Sequence, residues 1–391
     1  MSFVPPELVL CILEHGYYTS LRTPDYTFLK AAALVCKTWS GPAQTLLFRS
    51  ATKLEPHNIL TFHAALLSSA SQGKALGGCV RILEISIVPA SISNGGCSPD
   101  DFVALLQACP QLYELVLSIN GMHEFEEEIL KKLGDAGRRL KALTLVKCGL
   151  QSPILFQLLN IWNNIQFLKI GHEIAAWPWR TAATTPVLRR NTDPAELAQR
   201  HGAEVCLYDL ALSRFPTPDV LTWLLESSAD SLRILELRDI PGPAQRNILS
   251  LHAPRLRSLR LAHYNTYSAA LLRMCTALEE LVIYHVPTHF PLAPDLPPTI
   301  EHLSFRNPNH TYRNTLQPII EAVDALPKLK VLTCDKNAEQ LVMDYEILKA
   351  KCRMKGAEVI VSDMPFWVYE DPVMVHRFPR TRSVSNFDAM F

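Results

Sequence analysis

Few residues in this chain stand at spacings that bond chemistry requires. His285 and His289 are four apart, the interval that sets two metal ligands on one helix face. Pro287 lies between them and rules against a regular helix, and no cysteine or acid follows at ligand spacing. No metal site and no cofactor are therefore expected. Glu124, Glu126, Glu127 and Glu128 form an acidic run. It reads as the solvated first turn of a helix, where negative charge complements the dipole, rather than as a paired-carboxylate centre. A Gly-rich phosphate loop, a G-x-S-x-G elbow and an H-E-x-x-H helix are all missing from the sequence. No catalytic residue is assigned, and the chain reads as a non-enzyme. The ten cysteines are scattered with no C-x-x-C pair, and several fall on apolar stripes. They read as buried thiols in a reducing compartment, where the Asn309-His310-Thr311 glycosylation pattern would stay unused.

A second set of residues suits recognition. Arg238, Arg260, Tyr284, His302 and Arg306 would make a mildly basic, aromatic-bearing surface. Arginine forks match carboxylate and phosphate, so an acidic or phosphorylated segment of an unknown target protein is one fit. The other reading is plain cross-strand pairing in solvated ladders, with Glu236 beside Arg260, and Glu280 near Arg260 or His302. Both depend on strand register, because a one-residue slip moves every side chain to the other face.

The elements that would position them come from a repeat. Leu-x-x-Leu-x-Leu, with aliphatic substitutes, starts at Leu112, Leu140, Leu207, Leu232, Leu256 and Leu278, and more weakly at Val80, Ile165, Ile300 and Leu329. Between Leu207 and Leu278 the starts are 22 to 25 residues apart. Residues two apart on a strand point the same way, so Leu235 and Leu237 face one core. One such strand cannot stand alone, whereas stacked copies make a parallel sheet. Register then aligns one column through Glu84, Val116, Thr144, Lys169, Ala211, Glu236, Arg260, Val282, Ser304 and Thr333. The next runs through Ser86, Ser118, Val146, Gly171, Ser213, Arg238, Ala262, Tyr284, Arg306 and Asp335. Helices are expected after Ser98-Pro99-Asp100-Asp101, after Thr217-Pro218-Asp219, and over 314–325. The pattern resembles leucine-rich repeats over roughly residues 75–362. That resemblance implies an α/β horseshoe.

The first fifty residues follow another rule. Pro5 and Pro6 open a helix carrying Leu8, Ile12 and Leu13. After Gly16 and Pro24, with Asp25 or Thr27 as cap, a second apolar stripe runs through Leu29, Ala32, Ala33, Cys36 and Trp39. Gly41-Pro42 is expected to end that helix, leaving residues 43–48 as a third. The segments Val4-Pro5-x-Glu7-Leu8 and Val35-Cys36-Lys37-Thr38-Trp39 resemble an F-box, with Val4 where leucine is usual and a longer loop between helices. The opening and the Leu46-Leu47-Phe48-Arg49 ending are similar to F-box proteins abundant in mushroom-forming fungi. The resemblance implies a substrate adaptor of a Skp-cullin-F-box ubiquitin ligase. Pro5, Pro6, Leu8, Ile12, Leu13, Val35, Cys36 and Trp39 would then dock on the Skp-family linker of the cullin complex, while the repeats hold a target. The alternative is a leucine-rich-repeat scaffold with no ubiquitin link, its helical start a cap.

The expected architecture is therefore α/β: a short helical F-box-like module over 1–52, a helical linker over 53–78, and a leucine-rich-repeat solenoid over 79–365. An irregular insertion lies near 172–204, where Trp177 and Trp179 either anchor a ligand or pack on the sheet edge. Residues 366–391 read as a cap and flexible basic end, with Ser383 and Ser385 in a kinase-like setting. The 391 residues carry 38 Lys and Arg against 38 Asp and Glu. That balance argues against nucleic acid as a general partner. No secretory leader or membrane span is evident, so a cytoplasmic or nuclear protein is expected.

Overall fold

A computed structural model describes residues 4–19, 24–52, 56–71, 73, 75–89, 97–149, 152–172, 205–285, 291–306 and 315–362. The chain divides into two compact units, residues 1–165 and 166–391.

The first unit opens with α1 (Pro6–His15), α2 (Tyr26–Val35) and α3 (Lys37–Arg49). Pro6 sits in the first turn of α1, where a missing amide costs nothing. The Asp25 carboxylate caps α2 by accepting from the Phe28 amide at 2.9 Å. The expected stop at Gly41-Pro42 does not occur. Cys36 makes the break instead, in extended conformation, and α3 continues through Pro42. Proline removes one backbone bond there, but Ala43 and Leu46 bury their side chains in the module's core and hold the helix together. Arg49 ties the module down. It pairs with Glu14 at 3.1 Å and lies over the Tyr17 ring at 5.6 Å.

Immediately after Arg49, β1 (Ser50–Ala51) adds to β2 (Ile82–Ile87) in parallel, with α4 (Pro56–Ser71) between them. The helical module is thus continuous with the first repeats. Then come α5 (Pro99–Ala108), β3 (Glu114–Ile119), α6 (Glu127–Ala136), β4 (Ala142–Lys147) and α7 (Ile154–Ile161). Ser98 and Asp101 complete a capping box on α5. Glu127 and Glu128 occupy the first turn of α6, as expected from the acidic run. Glu84, Val116 and Thr144 align as read from the repeat. The second column differs: the register shifts after Leu117, so Lys147 rather than Val146 stands opposite Ser118.

The second unit is a parallel run of β5 (Phe167–Ile170), β6 (Asp209–Leu212), β7 (Ile234–Leu237), β8 (Ser258–His263), β9 (Glu280–His285), β10 (His302–Phe305), β11 (Val331–Cys334) and β12 (Glu358–Val361). Helices return between them: α8 (Pro218–Leu225), α9 (Pro243–Ser250), α10 (Thr266–Leu272), α11 (Gln317–Ala325), α12 (Lys336–Glu339) and α13 (Val342–Lys355). Leu210, Leu235, Leu259, Leu281, Leu303 and Leu332 stand in one register and are fully buried. α11 starts at Gln317, later than the sequence suggests. Asp344 of α13 accepts from the Leu316 amide at 2.8 Å, and the Thr315 hydroxyl accepts from the Gln317 amide at 3.1 Å. A cap supplied from another repeat cannot be read locally. The leucine-rich-repeat α/β architecture is present in both units. The insertion with Trp177 and Trp179, the His289 partner of His285, Asn309 and the end with Ser383 and Ser385 lie outside the described residues.

Candidate functional site

Two places carry the expected recognition residues. In the helical module, Val9 and Leu13 take the inner face of α1, with Tyr17, Leu29, Ala32, Ala43 and Leu46. Leu8 and Ile12, at the same i, i+4 interval but one residue earlier, face outward and are 55% and 51% exposed. Leu34 and Val35 at the end of α2 are 86% and 64% exposed. Pro5, Pro6 and Cys36 are exposed as well. Leu13 corrects the sequence reading. Leu13 is fully buried and supports the surface from behind, while Trp39 is half-buried against the same cluster. Beside Leu34 a groove of about 630 Å³ is lined by Ala33, Leu47, Phe48, Ala65 and Leu76.

On the second unit, strand register brings Arg238, Arg260, Tyr284, His302 and Arg306 to the face opposite the leucines. Glu236 and Arg260 stand directly opposite, as do Glu280 and His302. The anticipated pairs are present, but they are not solvated ladders. Arg260 is 3% exposed, His302 1%, Tyr284 and Arg306 5%. The Arg238 side chain alone of the five reaches solvent, at 29%.

The network satisfies much of what burial demands. Arg238 Nε meets Glu236 Oε1 at 3.1 Å, and Arg260 Nη1 lies 3.8 Å from Glu236 Oε2. Arg260 Nε is 3.6 Å from Glu280 Oε1. The Ser258 hydroxyl donates to that same Glu280 oxygen at 2.6 Å. His302 Nδ1 is 3.1 Å from Glu280 Oε2, and its Nε2 is 2.9 Å from Thr333 Oγ1. A proton on Nδ1 would donate to the carboxylate and leave Nε2 to accept the threonine hydroxyl. Burial opposes the Arg260 charge, but the carboxylates of Glu280, Asp209 and Glu236 outweigh it and raise its pKa. The cluster is an internal polar seam. Arg238 and Arg260 are already answered by carboxylates, and Arg306 Nη1 lies 3.4 Å from both the Ser304 hydroxyl and the Phe305 carbonyl oxygen.

Ser258, Glu280 and Thr333 join this seam without having been assigned a binding role from sequence. Their signal was the shared register, which sets Ser258 against Glu280 and Ser304 against Thr333. Elsewhere, Cys97, Cys109, Cys148, Cys275, Cys334 and Cys352 are buried free thiols. Burial pushes Cys109 up to about 12, far from a reactive thiolate. Among the described residues no group of three metal-ligating side chains occurs, and no helix is long and apolar enough to cross a membrane.

No family model matches the chain, and no curated protein matches it. Among solved structures, the chain is similar to the leucine-rich repeat-containing protein LegL7 from Legionella pneumophila. The identity is 17%, over 72% of this chain and 90% of that one, with a TM-score of 0.48. It is also similar to an internalin (inlF) from Listeria monocytogenes, at 10% identity over 81% of this chain and 98% of that one, with a TM-score of 0.33. Likenesses this remote carry no statement about activity or partners.

Proposed function

We propose that the chain is a non-catalytic adaptor, in which the helical module docks on a Skp-family linker of a cullin-based ubiquitin ligase and the repeats hold a target protein. One observation carries this reading. The module buries a complete small core, yet leaves Leu8, Ile12, Leu34 and Val35 more than half exposed. Large apolar side chains left at the surface by a module whose core is complete are available for contact with another molecule. The resemblance to an F-box is the ground for proposing a Skp-family linker as that molecule, and the surface position of Pro5, Leu8, Ile12, Val35 and Cys36 supports the reading. Function in such an adaptor is proximity: a target held near a transferring enzyme reacts as if at high local concentration.

The test is a pull-down of the full chain with purified Skp-family linker, beside a Leu8→Asp, Val35→Asp variant. Both positions are exposed, so the variant should keep its fold. Capture of the native chain and loss of the variant supports the adaptor reading. A folded native chain that captures no linker leaves a leucine-rich-repeat interaction scaffold with no ubiquitin link.

A further inference from the structure

We propose that the strand-entry edge of the second unit is a docking ledge for an extended acidic segment of a partner protein. The residue just before each of five successive strands is charged: Arg233, Arg257, Glu279, Glu301 and Lys330. Their backbones continue the ladder, each amide bonding the carbonyl of its counterpart in the preceding repeat at 2.8 to 2.9 Å. The side chains therefore form a row along the sheet edge. Around it, an open cavity of about 560 Å³ is lined by Arg233, Arg255, Arg257 and Lys328, with Glu279 and Glu301.

Charge is distributed unevenly along the row. The carboxylates are central and already engaged. Arg257 pairs with Glu279, and Lys330 pairs with Glu301 at 2.9 Å. Arg233, Arg255 and Lys328 are less committed. Arg233 donates to the carbonyls of Asp230 and Leu232 and forms no ion pair among the described residues. Arg255 is 52% exposed; it donates to the Ala229 carbonyl at 3.2 Å and pairs with the highly exposed Asp230 carboxylate, a contact of small worth in water. Lys328 is exposed and makes no ion pair among the described residues.

Geometry selects the occupant. From Arg233 to Lys330 the row crosses four strand spacings, roughly 19 Å. An extended segment of about six residues spans that distance, which a single phosphate does not. A dense dianion at the centre would also face Glu279 and Glu301. Pairs of carboxylates at both ends of a short segment, with neutral residues between, match the ledge better. On the buried strand face Arg238 and Arg260 are matched to Glu236 and Glu280, whereas the edge cations Arg255 and Lys328 are exposed and accessible to an acidic partner.

This inference rests on reading the repeats as a protein-binding surface and is independent of the linker contact. The test is fluorescence anisotropy on the full chain at low ionic strength. The probe is a fluorescein-labelled hexapeptide with glutamate at positions one, two, five and six and Ser-Gly between. Binding should weaken at least tenfold in an Arg255→Glu, Lys328→Glu variant. It should be unchanged in a Lys132→Glu, Arg138→Glu control, which reverses two exposed cations elsewhere. The ledge variant should still capture the Skp-family linker if the native chain does, so the two readings fail separately. No binding at millimolar peptide, equal weakening in the control, or stronger competition by a single-stranded oligonucleotide than by unlabelled peptide would each overturn the proposal.

Discussion

Arg260 lies 3.6 Å from Glu280, and neither side chain is more than 4% exposed. The pair is internal, and its worth differs in kind from that of a surface bridge. Taking both charges out of water is expensive, and their attraction returns that cost only while both remain. Removing one partner strands the other. Arg260→Met should therefore lower stability by about 3–5 kcal/mol. Arg260→Met combined with Glu280→Leu should recover part of that loss, since the Glu280 carboxylate is then no longer left buried without Arg260. Urea denaturation of the two variants and the native chain measures it. A single variant as stable as the native chain would show that the seam contributes nothing.

His252 and His285 give the second unit an acid limb. Burial lowers the His252 pKa, and burial with the neighbouring His263 lowers that of His285. The His263 and His285 rings stack 4.6 Å apart at 8°. Each folded pKa lies below the ordinary value of 6.5, so the unfolded chain takes up the proton first. Their contribution is fully present above that value and is lost as pH falls through the folded one. The slope is at most about 1.4 kcal/mol per pH unit for each group. Urea midpoints at pH 7.5, 6.5 and 5.5 should fall in that order. His252→Asn should fall less steeply; an identical slope would remove His252 from the account.

Much of this architecture is legible in residue types, and the limits have physical causes. Leu232, Leu235 and Leu237 announce a strand and its inner face, because alternation and a repeat period leave few other ways to bury them. The same alternation placed Glu236, Arg260 and His302 on the opposite face correctly. Their burial was not legible, because a strand pattern gives the side of the sheet and not what lies over it. At the N-terminus, the period put Leu8, Ile12 and Leu13 on α1 but could not tell which flank would meet α3. The charged row at the sheet edge was readable, since Leu232-Arg233, Leu256-Arg257, Leu278-Glu279, Ile300-Glu301 and Leu329-Lys330 share one repeat position. Only the stacked strands make those separate dipeptides neighbours.

Gly77 and Gly78 are adjacent but should respond oppositely to the same change. A Cβ on Gly77 would lie 1.9 Å from the Ala108 carbonyl oxygen at the end of α5, a backbone atom that cannot swing aside. On Gly78 the nearest neighbour would be the Ala75 Cβ at 4.0 Å. Gly77→Ala should cost about 1–3 kcal/mol by overpacking. Gly78→Ala should be neutral or slightly stabilising, because alanine restricts the unfolded chain more than glycine. Thermal melts of both variants decide it; equal melting temperatures would mean that the contact at Gly77 relaxes freely.

Under the proposed linker contact, the helical module separates stability from docking within two turns of α1. Leu13 fills its core, and Leu8 stands on the outer face. Leu13→Ala removes a fully buried side chain and should destabilise by about 2–5 kcal/mol. In so small a cluster, that loss should loosen α1 while leaving the repeats of the second unit folded. Leu8→Ala should change stability by no more than about 0.5 kcal/mol, as surface substitutions do. Linker capture should reverse the order at low temperature, where the module of Leu13→Ala remains folded: weakened by Leu8→Ala and retained by Leu13→Ala. Amide hydrogen exchange over residues 6–49, run beside the pull-down, measures both. Faster exchange throughout the module in Leu8→Ala would contradict the assignment of Leu8 to an outer face free of structural duty.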